Sequence, residues 1–215
     1  MKARISSIFF VLLLITGQIS CSSETGRTFM ESETNLQQKT DTAIFGSGCF
    51  WCSQAVFESL IGVVEVKCGY AGGHTEFPDY EAVCTGQTGH AEVVQIVYQP
   101  DSISYNDLLD VFWLTHDPTT KNRQGGDIGT QYRSVIFYHN AEQKAIAEEA
   151  MKALDASGIL DKPVVTEISP LKVFYEAEAY HQDYFRKNPG QGYCQAVIRP
   201  KMEKFRKTFQ EKLKK

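Results

Sequence analysis

Two hydrophobic periods alternate along the chain from Thr42 onward. "TAIFG" (residues 42–46) is a short apolar run that predicts a strand. From Cys49 to Leu60, the residues Phe50, Trp51, Ala55, Val56, Phe57 and Leu60 form a broad helical face, and Gly62 ends it. "VVEVKCGYA" predicts a second strand closing on Gly72-Gly73, followed by a Gly- and Pro-marked loop to Gly89. In "AEVVQIVYQP", Val93, Gln95 and Val97 alternate with Val94, Ile96 and Tyr98, the period of a third strand. Ser104 caps a helix through Leu114, with Asp107 as an acidic partner in its first turn. Residues 117–131 read as a polar, Gly-rich loop and "YRSVIFYH" as a strand. Asn140 opens a helix to about Ala156, and "PVVTEI" is a further strand. "EAEAYHQDYFRK" predicts a helix, "NPGQGYCQA" a Gly-rich loop and residues 200–213 a last helix.

The core order strand–helix–strand–strand–helix–strand predicts an α+β fold, a ferredoxin-like split βαβ sheet with helices on it and a C-terminal extension. The folded domain is expected over residues 42–215. Residues 21–41, rich in Ser, Thr, Glu and Gln, read as a flexible tether. The first 20 residues carry Lys2 and Arg4 before the apolar run "ISSIFFVLLLIT", the pattern of an export signal. "GQISC" puts Cys21 where a bacterial lipoprotein is cleaved and lipidated. The chain is therefore expected to be exported, periplasmic or on the outer membrane, held to a membrane only by that lipid. It would lie in a compartment where disulfides persist.

A formal charge of −4 without a basic block gives no reason to invoke nucleic acid, and the C-terminal lysines fall on the wet face of the last helix. A monomer is expected. Cysteines stand at 21, 49, 52, 68, 84 and 194. With Cys21 lipidated, five remain, and an odd number leaves at least one thiol free. Cys49 follows Gly48 and opens a helix, where unpaired amides and the helix dipole favour a thiolate. Cys52 lies one turn on, on the same face. A second ligand pair for zinc is missing from the sequence, so no metal is expected. A bare CxxC still leaves open a redox pair, a nucleophile beside a buried cysteine, or a structural disulfide.

The wider constellation narrows the choice. "GCFWC" resembles the signature of the peptide methionine sulfoxide reductase A family. The resemblance continues through "GYAGG" (69–73), "DYEAVCTGQTGHAE" (79–92), "ISYNDLLDVFWLTHDP" (103–118), "RQGGDIGTQYRS" (123–134) and "AYHQDYFRKNPGQGYC" (179–194). It spans nearly the whole folded part. Gly126 and Ile128 depart from the pattern, where relatives more often carry Asn and His.

The resemblance implies reduction of the S epimer of methionine sulfoxide, in oxidised proteins or as free amino acid. Cys49 matches the nucleophile, whose sulfur becomes a sulfenic acid. Glu92 matches the proton donor, which burial would keep protonated. Tyr80 and Tyr132 match the hydroxyls that hold the sulfoxide oxygen, and Asp127 a carboxylate that orders the pocket. Phe50 and Trp51 match the wall for the substrate methyl group. Cys194, in a Gly-rich tail free to swing inward, and Cys52 are both candidates to resolve the sulfenic acid, with Cys194 ranked first. No bound cofactor is implied, only an external thioredoxin-like protein, or dithiothreitol in vitro. His90, His116 and His181 read as hydrogen-bonded supports, His74 and His139 as surface, and Cys68 and Cys84 as buried and inert. The rival reading is a general thiol–disulfide oxidoreductase using Cys49 and Cys52. A cysteine hydrolase and a non-catalytic lipoprotein are weaker alternatives.

Overall fold

The computed structural model describes residues 39–214; the expected export signal, Cys21 and most of the expected tether fall outside the described residues. The strands are β1 (Asp41–Ser47), β2 (Val63–Ala71), β3 (Ala91–Tyr98), β4 (Arg123–Gln124), β5 (Asp127–Ile128), β6 (Ser134–Tyr138), β7 (Glu167–Pro170) and β8 (Phe174–Glu176). The helices are α1 (Phe50–Glu58), α2 (Tyr80–Cys84), α3 (Tyr105–Thr115), α4 (Ala141–Ala156), α5 (Tyr184–Lys187) and α6 (Arg199–Thr208).

The main sheet runs β7-β6-β1-β3-β2-β8. Its four central strands give the split βαβ order expected from the sequence: β1 and β2 flank β3, antiparallel to both, and β6 pairs antiparallel with β1. Strand β7 adds parallel to β6, and β8 closes the other edge against β2.

Alternation along β1 divides two cores. Phe45 points to the helices, where its ring lies 5.1 Å from Phe112 and 5.7 Å from Phe57. Burying side chains of this size contributes on the order of 1.5–3 kcal/mol each. Ile44 points the other way, into a smaller cluster with Val93, Val135 and Phe137, covered by Leu171 and Phe174. Helix α3 starts on the expected reciprocal cap, Ser104 accepting from the Asp107 amide while Asp107 accepts from the Ser104 amide.

Four local expectations change. Residues 176–187 do not form one helix: a 3-10 turn at Ala179–His181 is separated from α5 by Asp183, whose φ of +57° no α-helix tolerates. Gln54 accepts from the Asp183 amide and so holds that break. The loop before Gly89 contains α2, capped by Asp79. The strand expected at 163–168 is shifted to β7. The tail around Cys194 is a π-helical turn, Cys194–Ile198, running directly into α6. Among the described residues, no helix is long and apolar enough to cross a membrane.

Candidate active site

The site is built on the turn from β1 into α1. Gly48 has φ +92°, and a Cβ there would lie 2.6 Å from Cγ of Gln124, whose side chain roofs the turn. Cys49 then occupies the cap position of α1 without a capping hydrogen bond from its own side chain. One of the unpaired amides of the helix start is taken by a carboxyl. The Phe50 N–H donates to Oε2 of Glu92 at 3.0 Å, and the Trp51 amide draws the nearby Cys49 thiol downward. A helix terminus thus holds the sulfur and a carboxyl side by side. Gly48→Ala should cost on the order of 1–3 kcal/mol, displace Gln124 and reduce activity. Urea unfolding alongside turnover checks this, and unchanged values for both would remove the glycine from the site's construction.

Burial sets the charges. Glu92 is 2% exposed, and burial outweighs the Phe50 hydrogen bond to lift its carboxyl to about 8. It is a neutral acid at pH 7. Cys49 and Cys52 face each other at hydrogen-bonding range. Burial, the hydrogen bond to Cys52 and the neighbouring Glu92 push the Cys49 thiol well up. Cys52 is pushed down by the hydrogen bond from Cys49, by the Lys201 ammonium and by the Tyr193 hydroxyl, against its burial. At Cys49 the helix start is thus opposed by burial, and of the two thiols Cys52 is the one drawn toward its anionic form.

Around this pair stand the other expected residues. Tyr80 opens α2, its amide held by Oε1 of Glu178 at 2.8 Å. Tyr132 ends the 3-10 turn Thr130–Tyr132. Burial raises both phenols, Tyr80 further through Cys84 and Glu92 and Tyr132 through Glu92 and Cys49, so both remain hydrogen-bond donors. Asp127, on the β4–β5 hairpin, accepts from the Tyr193 hydroxyl at 2.6 Å. That same hydroxyl faces Cys52, so the carboxylate acts on the pocket through Tyr193.

Trp51 supplies the accessible aromatic surface. It stacks on Tyr184 with centroids 3.7 Å apart and meets Tyr193 edge-on. Its Nε1 donates to Nδ1 of His181 at 3.1 Å. Phe50 is fully buried beneath, against Tyr70, Trp51 and His181, and contributes the floor rather than an open face. The three histidines are supports, as expected. His90 accepts from the Gly73 amide and reaches the Thr75 carbonyl. His116, half-buried and held down at about 4, bridges the Phe112 carbonyl and the Ser134 hydroxyl.

The five cysteines of the described residues are free thiols. Cys68 is buried, as expected, and donates toward Gln54 and the Phe50 carbonyl. Cys84 is exposed, contrary to expectation: α2 is only five residues long and turns it to solvent beside the Tyr80 hydroxyl. Cys194 is fully buried next to Cys52, within a helical turn rather than a loose tail. Two contributors were missed. Tyr193 sat beside Cys194 in a quoted motif, a usable signal. Glu178, which also accepts from the Tyr70 hydroxyl, had no local signal, because its partners lie about a hundred residues away in sequence.

The family model for peptide methionine sulfoxide reductase matches residues 41–213. A peptide methionine sulfoxide reductase MsrA of Trichodesmium erythraeum is 52% identical over 173 residues, covering 80% of this chain and 98% of the relative. One from Acinetobacter baumannii is 56% identical over 172 residues, covering 80% and 98%. Among solved structures, Mxr1 from Saccharomyces cerevisiae in reduced form is similar with a TM-score of 0.68 and 36% identity, covering 73% of this chain and 90% of that one.

Proposed function

From the premise that the chain belongs to the peptide methionine sulfoxide reductase family, we propose that it reduces the S epimer of methionine sulfoxide, in oxidised proteins and as the free amino acid, with Cys49 as nucleophile. The observation that carries this reading is the shared helix start: Cys49 caps α1, and the first amide of that helix, Phe50, holds the buried, neutral carboxyl of Glu92.

The sulfoxide methyl group lies against Trp51 over the Phe50 floor, and the oxygen points at Glu92, Tyr80 and Tyr132. Cys49 gives up its proton within the pair and attacks the sulfoxide sulfur. Glu92 protonates the oxygen while the two phenols hold it. Methionine leaves, and the oxygen remains on Cys49 as a sulfenic acid. Cys52 then attacks the Cys49 sulfur: an S–S bond forms, the S–O bond breaks, and the oxygen leaves as water. Sequence reasoning ranked Cys194 first for this step, but Cys52 shares a hydrogen bond with Cys49, whereas Cys194 neighbours Cys52. Cys194 therefore acts second, moving the disulfide to Cys52–Cys194. A thioredoxin-like protein, or dithiothreitol in vitro, reduces it.

A general thiol–disulfide oxidoreductase would leave Glu92, Tyr80 and Tyr132 without work at the sulfur. The test is a single turnover with the separated epimers and no reductant, followed by thiol blocking and disulfide mapping. One methionine per chain from the S epimer is expected, with a Cys49–Cys52 bond accumulating in Cys194→Ser. Turnover of the R epimer, or reduction of protein disulfides without sulfoxide turnover, would overturn the reading.

A further inference from the structure

Glu178 lies where three parts of the pocket meet. It is the cap residue of the 3-10 turn Ala179–His181 and is half-buried. Its Oε1 accepts at 2.8 Å from the amide of Tyr80, the first residue of α2. Its Oε2 accepts at 2.8 Å from the hydroxyl of Tyr70. Tyr70 is fully buried on β2, opposite Glu92 in register, with its ring 5.8 Å from Phe50. The same Oε2 stands 3.8 Å from Nε2 of His181. His181 is 1% exposed and packs against the rings of Tyr80 and Phe50, with centroids 4.4 and 5.0 Å away. Its Nε2 has no hydrogen-bond partner among the described residues, while its Nδ1 receives the Trp51 indole N–H at 3.1 Å. An indole only donates, so Nδ1 is the bare nitrogen, and in the neutral ring the proton sits on Nε2, on the side of the carboxylate. Burial outweighs the Glu178 charge and lowers the titration of His181, so the ring is neutral at pH 7.

We propose that Glu178 is a positioning residue that ties the two walls of substrate recognition together: one carboxylate sets the oxygen wall through the Tyr80 amide and the methyl wall through the His181 tautomer that receives Trp51. The inference rests on the reading of Tyr80 as a hydroxyl that holds the sulfoxide oxygen and of Trp51 as the wall for its methyl group. An ionised carboxylate only accepts. Beside Nε2 it favours the proton there and leaves Nδ1 free for the indole. A donor in its place would send the proton to Nδ1, where it meets the indole N–H, and Trp51 would lose its bond. The oxygen and the methyl group leave one sulfur in fixed directions, so a site that grips both must hold its two walls at one spacing. Trp51 is on α1 and Tyr80 on α2, and the stretch between them, strand β2 and a loop, does not set that spacing locally. Glu178 sets it, and through Tyr70 the same carboxylate is also anchored to the strand beneath the Phe50 floor. The consequence is a preference for a methyl group over a longer alkyl group on the sulfoxide sulfur.

The test compares the parent, Glu178→Gln and Glu178→Asp as full chains. The Gln amide can still offer its oxygen to Tyr80, but it then turns N–H groups toward Tyr70 and His181. Asp keeps the negative charge on a shorter stem. Nitrogen NMR of isotope-labelled histidine and tryptophan reads the tautomer directly. His181 should be protonated on Nε2 in the parent and on Nδ1 in Glu178→Gln, where the indole N–H of Trp51, one of two tryptophans in the chain, should shift as its acceptor is lost. In turnover, the ratio of kcat/KM for a methyl sulfoxide peptide to that for its ethyl analogue should fall about tenfold in Glu178→Gln. Glu178→Asp should keep the parent tautomer and recover most of the ratio. Both readouts belong to folded molecules, so a loss of stability does not imitate them. The parent tautomer or the parent ratio in Glu178→Gln, or equal losses in Gln and Asp, would overturn the proposal while leaving turnover of the S epimer as it stands. A parent protein that fails to turn over the S epimer would instead remove the proposed function, and this inference with it.

Discussion

Cys49→Ser should abolish reduction of methionine sulfoxide, with a loss on the order of 10⁴-fold or more in the methionine-forming step. A serine hydroxyl nearly fits the same turn and suits a helix cap, so the variant should fold with the parent's circular dichroism and urea midpoint. What it lacks is the chemistry: oxygen cannot take up the sulfoxide oxygen to form a sulfenic acid. The other thiols cannot substitute. Cys52, Cys68 and Cys194 are each buried more deeply than Cys49, and Cys84, though exposed, lies on α2 beside the Tyr80 hydroxyl and not at the start of α1. Single-turnover release of methionine measures the effect. A variant that still released one methionine per chain at more than about a hundredth of the parent rate would place the nucleophile elsewhere.

Glu92→Gln should lower the same step about 10²- to 10⁴-fold, the usual range for a general acid, and should change the response to pH in two ways. In the parent, the carboxyl is held protonated to about 8 by burial, so the rate should fall as pH rises through that value. The amide, which carries no titrating proton, should lack this limb. Stability should respond as well. In the unfolded chain a glutamate releases its proton near about 4.3, whereas the folded protein keeps it to about 8. Between those values the folded state binds more protons than the unfolded state, so the parent loses stability as pH rises. The Gln variant keeps an oxygen to accept the Phe50 amide and has no such slope. Its advantage should be small at pH 5 and reach the order of a few kcal/mol at pH 8. Urea unfolding at both pH values reads this directly; a difference independent of pH would mean that Glu92 ionises in the fold without penalty.

Much of this architecture was legible before the structure. The apolar run 42–46 marks β1, the alternation in residues 91–98 assigns both faces of β3, and the reciprocal Ser104–Asp107 cap fixes the start of α3 locally. Such features depend on residues within a few positions of one another. The failures share the opposite property. The helix expected at 176–187 has adequate periodicity, but Asp183 adopts a left-handed conformation because Gln54, far away on α1, takes its amide. Cys84 was read as buried from its apolar neighbours Ala82 and Val83, whereas the shortness of α2 decides its exposure. At the site, Cys49 and Glu92 were identified through motifs, but the charge distribution was not. The helix start argued for a Cys49 thiolate, and only the packed structure shows burial and the mutual hydrogen bond opposing that preference. Glu178 and the bond from Tyr193 to Asp127 join segments brought together solely by tertiary structure.

The position of β1 in the sheet also bears on when the reactive sulfur matures. Both neighbours of β1 come later in the chain: β3 at residues 91–98 and β6 at residues 134–138. During synthesis from the N-terminus, the strand leading to Cys49 has nothing to pair with until β3 has emerged, and Glu92 arrives on that same strand. Tyr132 and Asp127 follow, and the Tyr193–Cys194 turn comes near the end. At about 5–20 residues per second, the interval between the nucleophile and its last neighbours is roughly ten seconds. Non-local pairing of this kind also slows folding once the chain is complete. The proton donor therefore reaches the nucleophile well before the thiol that clears its oxidised product, and the C-terminal segment is the seam that closes the catalytic cycle as well as the fold.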